Sequence, residues 1–256
     1  IRATSSRARL QDKRIRFIAL KYDDPKKLTE QLSEYAGLHG AWDYVIHNAG
    51  LTKTLRKENF FRVNAEHTRN LLEALHASGC APRKFILMSS LSSFGLGDEV
   101  NFTPFSLSDT QRPNTVYGQS KLKAEHYVRD QKYFPWIILR PTGVYGPGDR
   151  DYFLEIKSIQ SGLDLAVGFT PQRITFIYVK DLATVAFMAI ENGQIKNKHY
   201  FVADGDQHTD ESFANLIQEL LGKKKVIHAR IPLGLVKVAC WCSEQIGKLL
   251  GKEMTL

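Results

Sequence analysis

The sequence predicts an α/β protein built on a doubly wound parallel sheet. Short apolar runs alternate with amphipathic stretches over the first 145 residues, and polar residues collect where the apolar runs end. Alternation of this kind places helices on both faces of a parallel sheet, and such sheets bind ligands at the carboxyl ends of their strands. Size agrees: 256 residues at 43% hydrophobic and 24% charged can bury a sizeable core in one large or two small domains.

Ile1–Arg7 reads as the end of a strand running into a loop. Residues 15–20, IRFIAL, are a strand candidate, and 26–36 a helix begun after Asp24-Pro25. Asp43 to Gly50 is a strand ending in a glycine turn. From Asn59 to His76, Phe60, Val63, Leu71, Leu72 and Leu75 fit one helical face. Lys84 to Ser90 is a buried strand emptying into serines, a helix carries Tyr117 and runs to about Arg129, and Trp136–Arg140 is the next strand, stopped by Pro141.

From about residue 146 the pattern changes to smaller mixed α/β material. We expect a loop at Gly146–Asp149, a helix at 151–161, a strand at 174–179, a helix capped by Asp181, a strand at 199–204 and a helix after Thr209. The last stretch, Ile231–Gly251, is apolar but interrupted by Lys237, Glu244 and Lys248, which suits a core or interface helix better than a membrane anchor. No run reaches the roughly 18 apolar residues of a membrane span.

Three cysteines without a pairing pattern point to a reducing, cytoplasmic setting, and Cys240-x-Cys242 reads as core rather than as a metal site. A net charge of +8 permits anionic partners such as a nucleotide cofactor. Nucleic-acid binding is not expected, because no aromatic-interleaved basic stretch accompanies Lys223-Lys224-Lys225.

The chemistry centres on Tyr117-Gly-Gln-Ser-Lys121. Residues four apart share a helix face. A lysine ammonium beside a phenol favours the phenolate and can draw its pKa from roughly 10 toward neutrality. The pair alone is a weak signal, since it also occurs on ordinary solvated faces. Ser90 strengthens it. A hydroxyl at that strand end can bond the same substrate oxygen that Tyr117 protonates, a site suited to hydride chemistry with a cofactor as hydride source.

Taken together these motifs resemble the extended short-chain dehydrogenase/reductase superfamily, the NAD-dependent epimerase/dehydratase group. They are His47–Gly50, Val63-Asn64 with Thr68–Leu72, Phe85–Ser90 with Phe94-Gly95, Tyr117–Lys121, Leu139–Asp149, and Ile177–Ala183. The resemblance implies a Rossmann-type sheet over 1–145, incomplete at its N-terminus, with an interleaved substrate lobe over 146–256. Tyr117 would be the acid–base, Lys121 would hold the nicotinamide ribose, and Ser90 (with Ser89 or Ser92 as alternatives) would orient the carbonyl. Asn64 would brace the strands. Asn48, Ala49 and Gly50 would pass close to the cofactor, and Pro141, Thr142, Gly143 and Val144 would line the nicotinamide. Substrate would meet Thr52, Phe94, Tyr145, Tyr152 and Arg173. The family often dimerises through the tyrosine-bearing helix.

The chain also departs from the pattern. The glycine-rich phosphate turn is absent, and Arg2 stands where the family's second strand ends. We therefore expect a longer protein with a strand, turn and helix before Ile1 and a continuation after Leu256. Arg2, Ser5 and Arg7 suit a ribose phosphate, which favours NADP over NAD, while Lys21 replaces an acid near the adenine. Leu91-Ser92 replaces the Asp-Glu pair of sugar dehydratases, and Gly143 replaces an asparagine of many sugar epimerases. The Leu139–Asp149 loop looks like the hydroxysteroid dehydrogenase and dihydroflavonol reductase branch. The expected reaction is hydride transfer between the nicotinamide and a secondary alcohol or ketone. The alternatives are a nucleotide-sugar epimerase using the same site, and a non-catalytic dinucleotide-binding protein.

Overall fold

The computed structural model describes residues 14–170 and 172–250 together with the backbone of Arg2–Ala3; the side chains of residues 244–250 are not described. Alternating apolar side chains build the centre. Lys84–Met88 (β4) and Trp136–Pro141 (β5) are buried along their whole length. Phe85, Leu87 and Ile138 enter one core, and Ile86, Met88, Ile137 and Leu139 enter another on the opposite face. Helices cover both faces, as a fully buried parallel strand requires.

Tyr44–His47 (β3) and Lys198–Val202 (β10) complete a parallel sheet ordered β10-β5-β4-β3. The first core is filled from the helices Pro25–His39 (α1), His67–Ala77 (α3) and Val116–Asp130 (α4), through Leu28, Leu32, Leu71, Leu75, Ala124 and Val128. The second is filled from Val179–Glu191 (α6), through Leu182, Ala186 and Ala189. Asp24 caps α1 by accepting from the Lys27 amide, with Pro25 in its first turn.

The expected strand at 15–20 is shorter: Arg16–Phe17 (β2) pairs in parallel with Arg2–Ala3 (β1). The helix expected from Asn59 to His76 is interrupted. Glu58–Phe60 (α2) leads into a π-helical turn at Phe61–Glu66 before α3. Periodicity missed this because a π-bulge inserts a residue without breaking helical hydrogen bonding, and such bulges frequently mark functional sites.

The later segment is interleaved with the first, since β10 joins the main sheet beside β5. Gly143–Tyr145 (β6) pairs in parallel with Phe176–Tyr178 (β9). Asp151–Gln160 (α5) packs with Asp210–Leu220 (α7) around Ile159, Ala214 and Ile217. Leu163–Val167 (β7) pairs with Ile227–Ile231 (β12), and Arg173–Ile174 (β8) with His208–Thr209 (β11). Thr209 and Ser212 form a capping box that starts α7. Asp181 lies in the first turn of α6 rather than at its cap, because the helix begins at Val179.

Of the two expectations for the last helix, Leu233–Leu250 (α8), a core or an interface helix, the structure departs from the core one. Leu233, Leu235, Val238 and Trp241 are exposed, as are Cys240 and Cys242, which the sequence reading had placed in a core. Apolar composition alone did not decide burial on this helix. Among the described residues no helix is long and apolar enough to cross a membrane.

Candidate active site

The site forms where β3 and β4 end and α4 begins. Thr115 caps α4 by accepting from the Gly118 amide, which places Tyr117 in the first turn and Lys121 one turn on. Gly118 lets this turn press against the serine loop, since a Cβ there would overlap the Ser92 carbonyl. That close approach brings the Ser90 hydroxyl near the Tyr117 phenol, where it lowers the phenol pKa.

The structure sorts the three serine candidates. Ser89 is buried and donates to Glu125 at 2.6 Å. The Ser92 backbone packs on Gly118, while its amide donates to the Ser90 hydroxyl at 3.2 Å. Ser90 is half-buried and is the serine that acts on the Tyr117 phenol, lowering its pKa. The Tyr117 ring stands edge-on to Phe60, 6.0 Å between centroids.

Lys121 is 6% exposed and donates to the Met88 carbonyl at 2.9 Å. Burial lowers its pKa from the usual 10.5 to about 8, while the Glu125 carboxylate pushes it the other way. The expected pull of Lys121 on Tyr117 is not found. The ammonium lies 6.0 Å from the ring centroid and is committed to Met88. Burial instead pushes the phenol above its ordinary 10, partly offset by the Ser90 hydroxyl. At neutral pH the phenol therefore keeps its proton.

Asn48, Ala49 and Gly50 are exposed at the end of β3. Asn48 and Ala49 line a groove of about 250 Å³ between β3 and the segment carrying Ile18, Leu20 and Tyr22. A Cβ on Gly50 would stand 3.2 Å from the Lys121 ammonium and 3.3 Å from the Asn64 side-chain oxygen. The bare backbone therefore leaves a cradle that a side chain would fill.

Asn64 braces this region, as its sequence context implied. Its Oδ1 accepts from the Leu51 amide at 2.7 Å, and its Nδ2 donates to the Leu51 carbonyl at 3.0 Å and to the Ser120 hydroxyl at 2.9 Å. Ser120 in turn donates to the Tyr117 carbonyl at 2.7 Å. The π-turn thus aims one amide at both the strand-end loop and the tyrosine helix.

The remaining site candidates divide. Thr142 donates to the Val202 carbonyl at 3.1 Å through its amide, so Pro141 and Thr142 lead from β5 into Gly143 and Val144 of β6. Tyr152 lies directly over Gly143. Lys53 and Asp151 pair at 2.5 Å, tying the loop of the exposed Thr52 to the start of α5. Tyr145 is exposed and packs on Phe176 and Tyr178. Phe94, expected to meet substrate, is only 3% exposed and is wedged among Phe105, Phe201 and the Arg140 guanidinium. Its aromatic bulk is used in packing. Arg173 stacks on Phe102 at 5.1 Å and meets none of Ser90, Tyr117 or Lys121 in a hydrogen bond or ion pair. The side chain of Arg2, and Ser5 and Arg7 altogether, lie outside the described residues.

Sequence reasoning missed a buried cluster beneath the site. Glu125 and Arg140 are 0% and 1% exposed and pair bidentately at 2.8 and 3.0 Å. The signal was available: Glu125 follows Tyr117 and Lys121 at the same spacing of four, and Arg140 interrupts an otherwise apolar strand.

The parallel sheet is Rossmann-like, and Ser90, Tyr117 and Lys121 converge at its open strand ends. The family model for the NAD-dependent epimerase/dehydratase family matches residues 1–203, and the chain belongs to that family. It is 30% identical over 196 residues to a UDP-glucose 4-epimerase from Vibrio cholerae, covering 75% of this chain and 56% of that protein. It is 26% identical over 199 residues to a 3 beta-hydroxysteroid dehydrogenase/Delta 5-->4-isomerase of Mycobacterium tuberculosis, covering 71% and 53%. The matched region thus spans about half the length of these relatives. The fold matches a UDP-glucuronic acid 4-epimerase from Bacillus cereus solved with NAD, at TM-score 0.71 and 22% identity over 86% of this chain and 71% of that one. The family is described as NAD dependent.

Proposed function

We propose that this chain carries out reversible hydride transfer between a nicotinamide cofactor and a secondary alcohol or its ketone. The observation that carries the reading is the gathering of Ser90, Tyr117 and the buried Lys121 at the open strand ends beside the Gly50 cradle. A bound nicotinamide would supply or accept the hydride. Gly50, Asn48 and Ala49 would pass along the cofactor, with the Lys121 ammonium reaching its ribose. Ser90 would hold the substrate oxygen, and Tyr117 would give its phenolic proton to that oxygen in reduction and recover it in oxidation. Arg2, Ser5 and Arg7 support NADP over NAD by their fit to a ribose phosphate.

Gly143 with Tyr152 above it supports a reductase over a sugar epimerase, because an asparagine at 143 has no room. The epimerase reading is favoured by the Vibrio cholerae relative. The intact protein, assayed with NADPH or NADH and apolar ketones, is expected to oxidise the cofactor stoichiometrically, with a lower KM for NADPH. Tyr117→Phe should lower kcat about 10²–10⁴-fold. Interconversion of UDP-sugars without net cofactor consumption would instead establish the epimerase.

A further inference from the structure

We propose that Glu125 is a positioning residue, whose carboxylate ties the serine loop after β4 to the helix carrying Tyr117 and Lys121 and so sets the Ser90–Tyr117 contact. The proposal deepens the hydride-transfer reading and concerns a residue that lies below the reacting atoms.

One carboxylate receives five hydrogen bonds from four residues. Its Oε1 accepts from the hydroxyls of Ser89 at 2.6 Å and Ser93 at 3.0 Å and from Arg140 Nε at 3.0 Å. Its Oε2 accepts from an Arg140 amino group at 2.8 Å and from the Gln111 amide at 2.9 Å. Gln111 also donates to Ser93 at 3.1 Å and accepts from Arg129 at 3.2 Å. Ser89 and Ser93 flank Ser90 in the chain. The two hydroxyls that Glu125 grips therefore bracket the one that meets Tyr117. On the other side, Glu125 sits two helical turns after Tyr117 on the same face of α4.

Arg140 anchors the arrangement to β5. Its guanidinium lies 4.9 Å from the Phe94 ring centroid and 5.7 Å from that of Phe201. Burying two charges costs desolvation that their attraction roughly repays, so apolar pairs of similar volume often serve stability equally well. What an apolar pair cannot reproduce is directed acceptance from Ser89 and Ser93. That geometric demand is the reason to assign positioning rather than stability alone.

Two variants of the intact protein test this. Glu125→Leu/Arg140→Met replaces the pair by apolar volume. Ser89→Ala/Ser93→Ala removes only the two hydroxyl links and keeps the ion pair. In each folded variant kcat is expected to fall roughly 10- to 100-fold, as for a small misplacement of reacting groups, with both KM values within about twofold. An activity-independent readout is the Tyr117 phenol, followed by NMR of ¹³C-tyrosine and assigned with Tyr117→Phe. Loss of the Ser90 contact should raise its titration above wild type. The serine variant decides the matter if the charge-pair variant does not fold. Wild-type kcat together with an unshifted Tyr117 titration in the serine variant would overturn the proposal. If wild type turns over no ketone, the hydride-transfer reading fails, while the Tyr117 titration still decides the role of Glu125.

Discussion

The Tyr152 hydroxyl occupies the space over Gly143 that a side chain would need. A Cβ at 143 would overlap that oxygen and come within 3.2 Å of the Phe176 ring, against which Tyr152 packs edge-on at 5.1 Å. Two residues named from separate stretches of sequence thus form one wall, shaped by a glycine in β6 and a tyrosine in α5.

Gly143→Asn is therefore expected to destabilise the protein by about 1–3 kcal/mol, the usual cost of overpacking. Adding Tyr152→Ala should recover part of that loss by clearing the space. Urea midpoints of the two single variants and the double variant measure this. Strict additivity would show that the residues are not in contact.

Asn64→Ala should loosen the strand-end loop and the tyrosine helix together. It strips partners from the Leu51 amide, the Leu51 carbonyl and the Ser120 hydroxyl. Half-buried and buried groups left this way cost about 1–3 kcal/mol each when water does not replace the bond. The expected outcome is a lower urea midpoint together with a raised KM for the cofactor, because the freed loop adjoins Gly50. A change in stability with an unchanged cofactor KM would confine Asn64 to the fold.

His47 should make the protein acid-sensitive. It is 3% exposed, and its Nε2 meets Thr68 Oγ1 at 3.0 Å. The Thr68 hydroxyl already donates to the Asn64 carbonyl at 2.8 Å, so His47 Nε2–H is the donor of this pair. Burial, with the nearby Lys121 charge, lowers the imidazole pKa from 6.5 to about 3. The unfolded chain then binds a proton between those pH values that the folded chain refuses. Stability conferred by neutral His47 is present above about pH 6.5 and is lost as pH falls toward 3. Urea midpoints from pH 7 to 4 should fall for wild type, and more shallowly for His47→Asn.

Local signals made much of the site legible. The Tyr117–Lys121 spacing, the serines closing β4 and the Gly50 turn follow from helical and strand periodicity, and the fold brings the three close together. Tertiary packing reassigned other residues. Phe94 looks like a substrate contact by its place after the serine strand, yet it is enclosed by Phe105, Phe201 and Arg140, which come from distant stretches. Cys240 and Cys242 look like core by composition but face outward on α8. Burial depends on what packs opposite, and no local pattern records that.

The sequence by itself determined the alternation of strands and helices and the family, because each rests on residues close together in the chain. Only the tertiary structure decided which serine meets Tyr117, which way its phenol is shifted, and that Glu125 and Arg140 lie beneath it. Those outcomes depend on desolvation and on contacts between residues far apart in sequence, and both arise only once the sheet and its covering helices are packed.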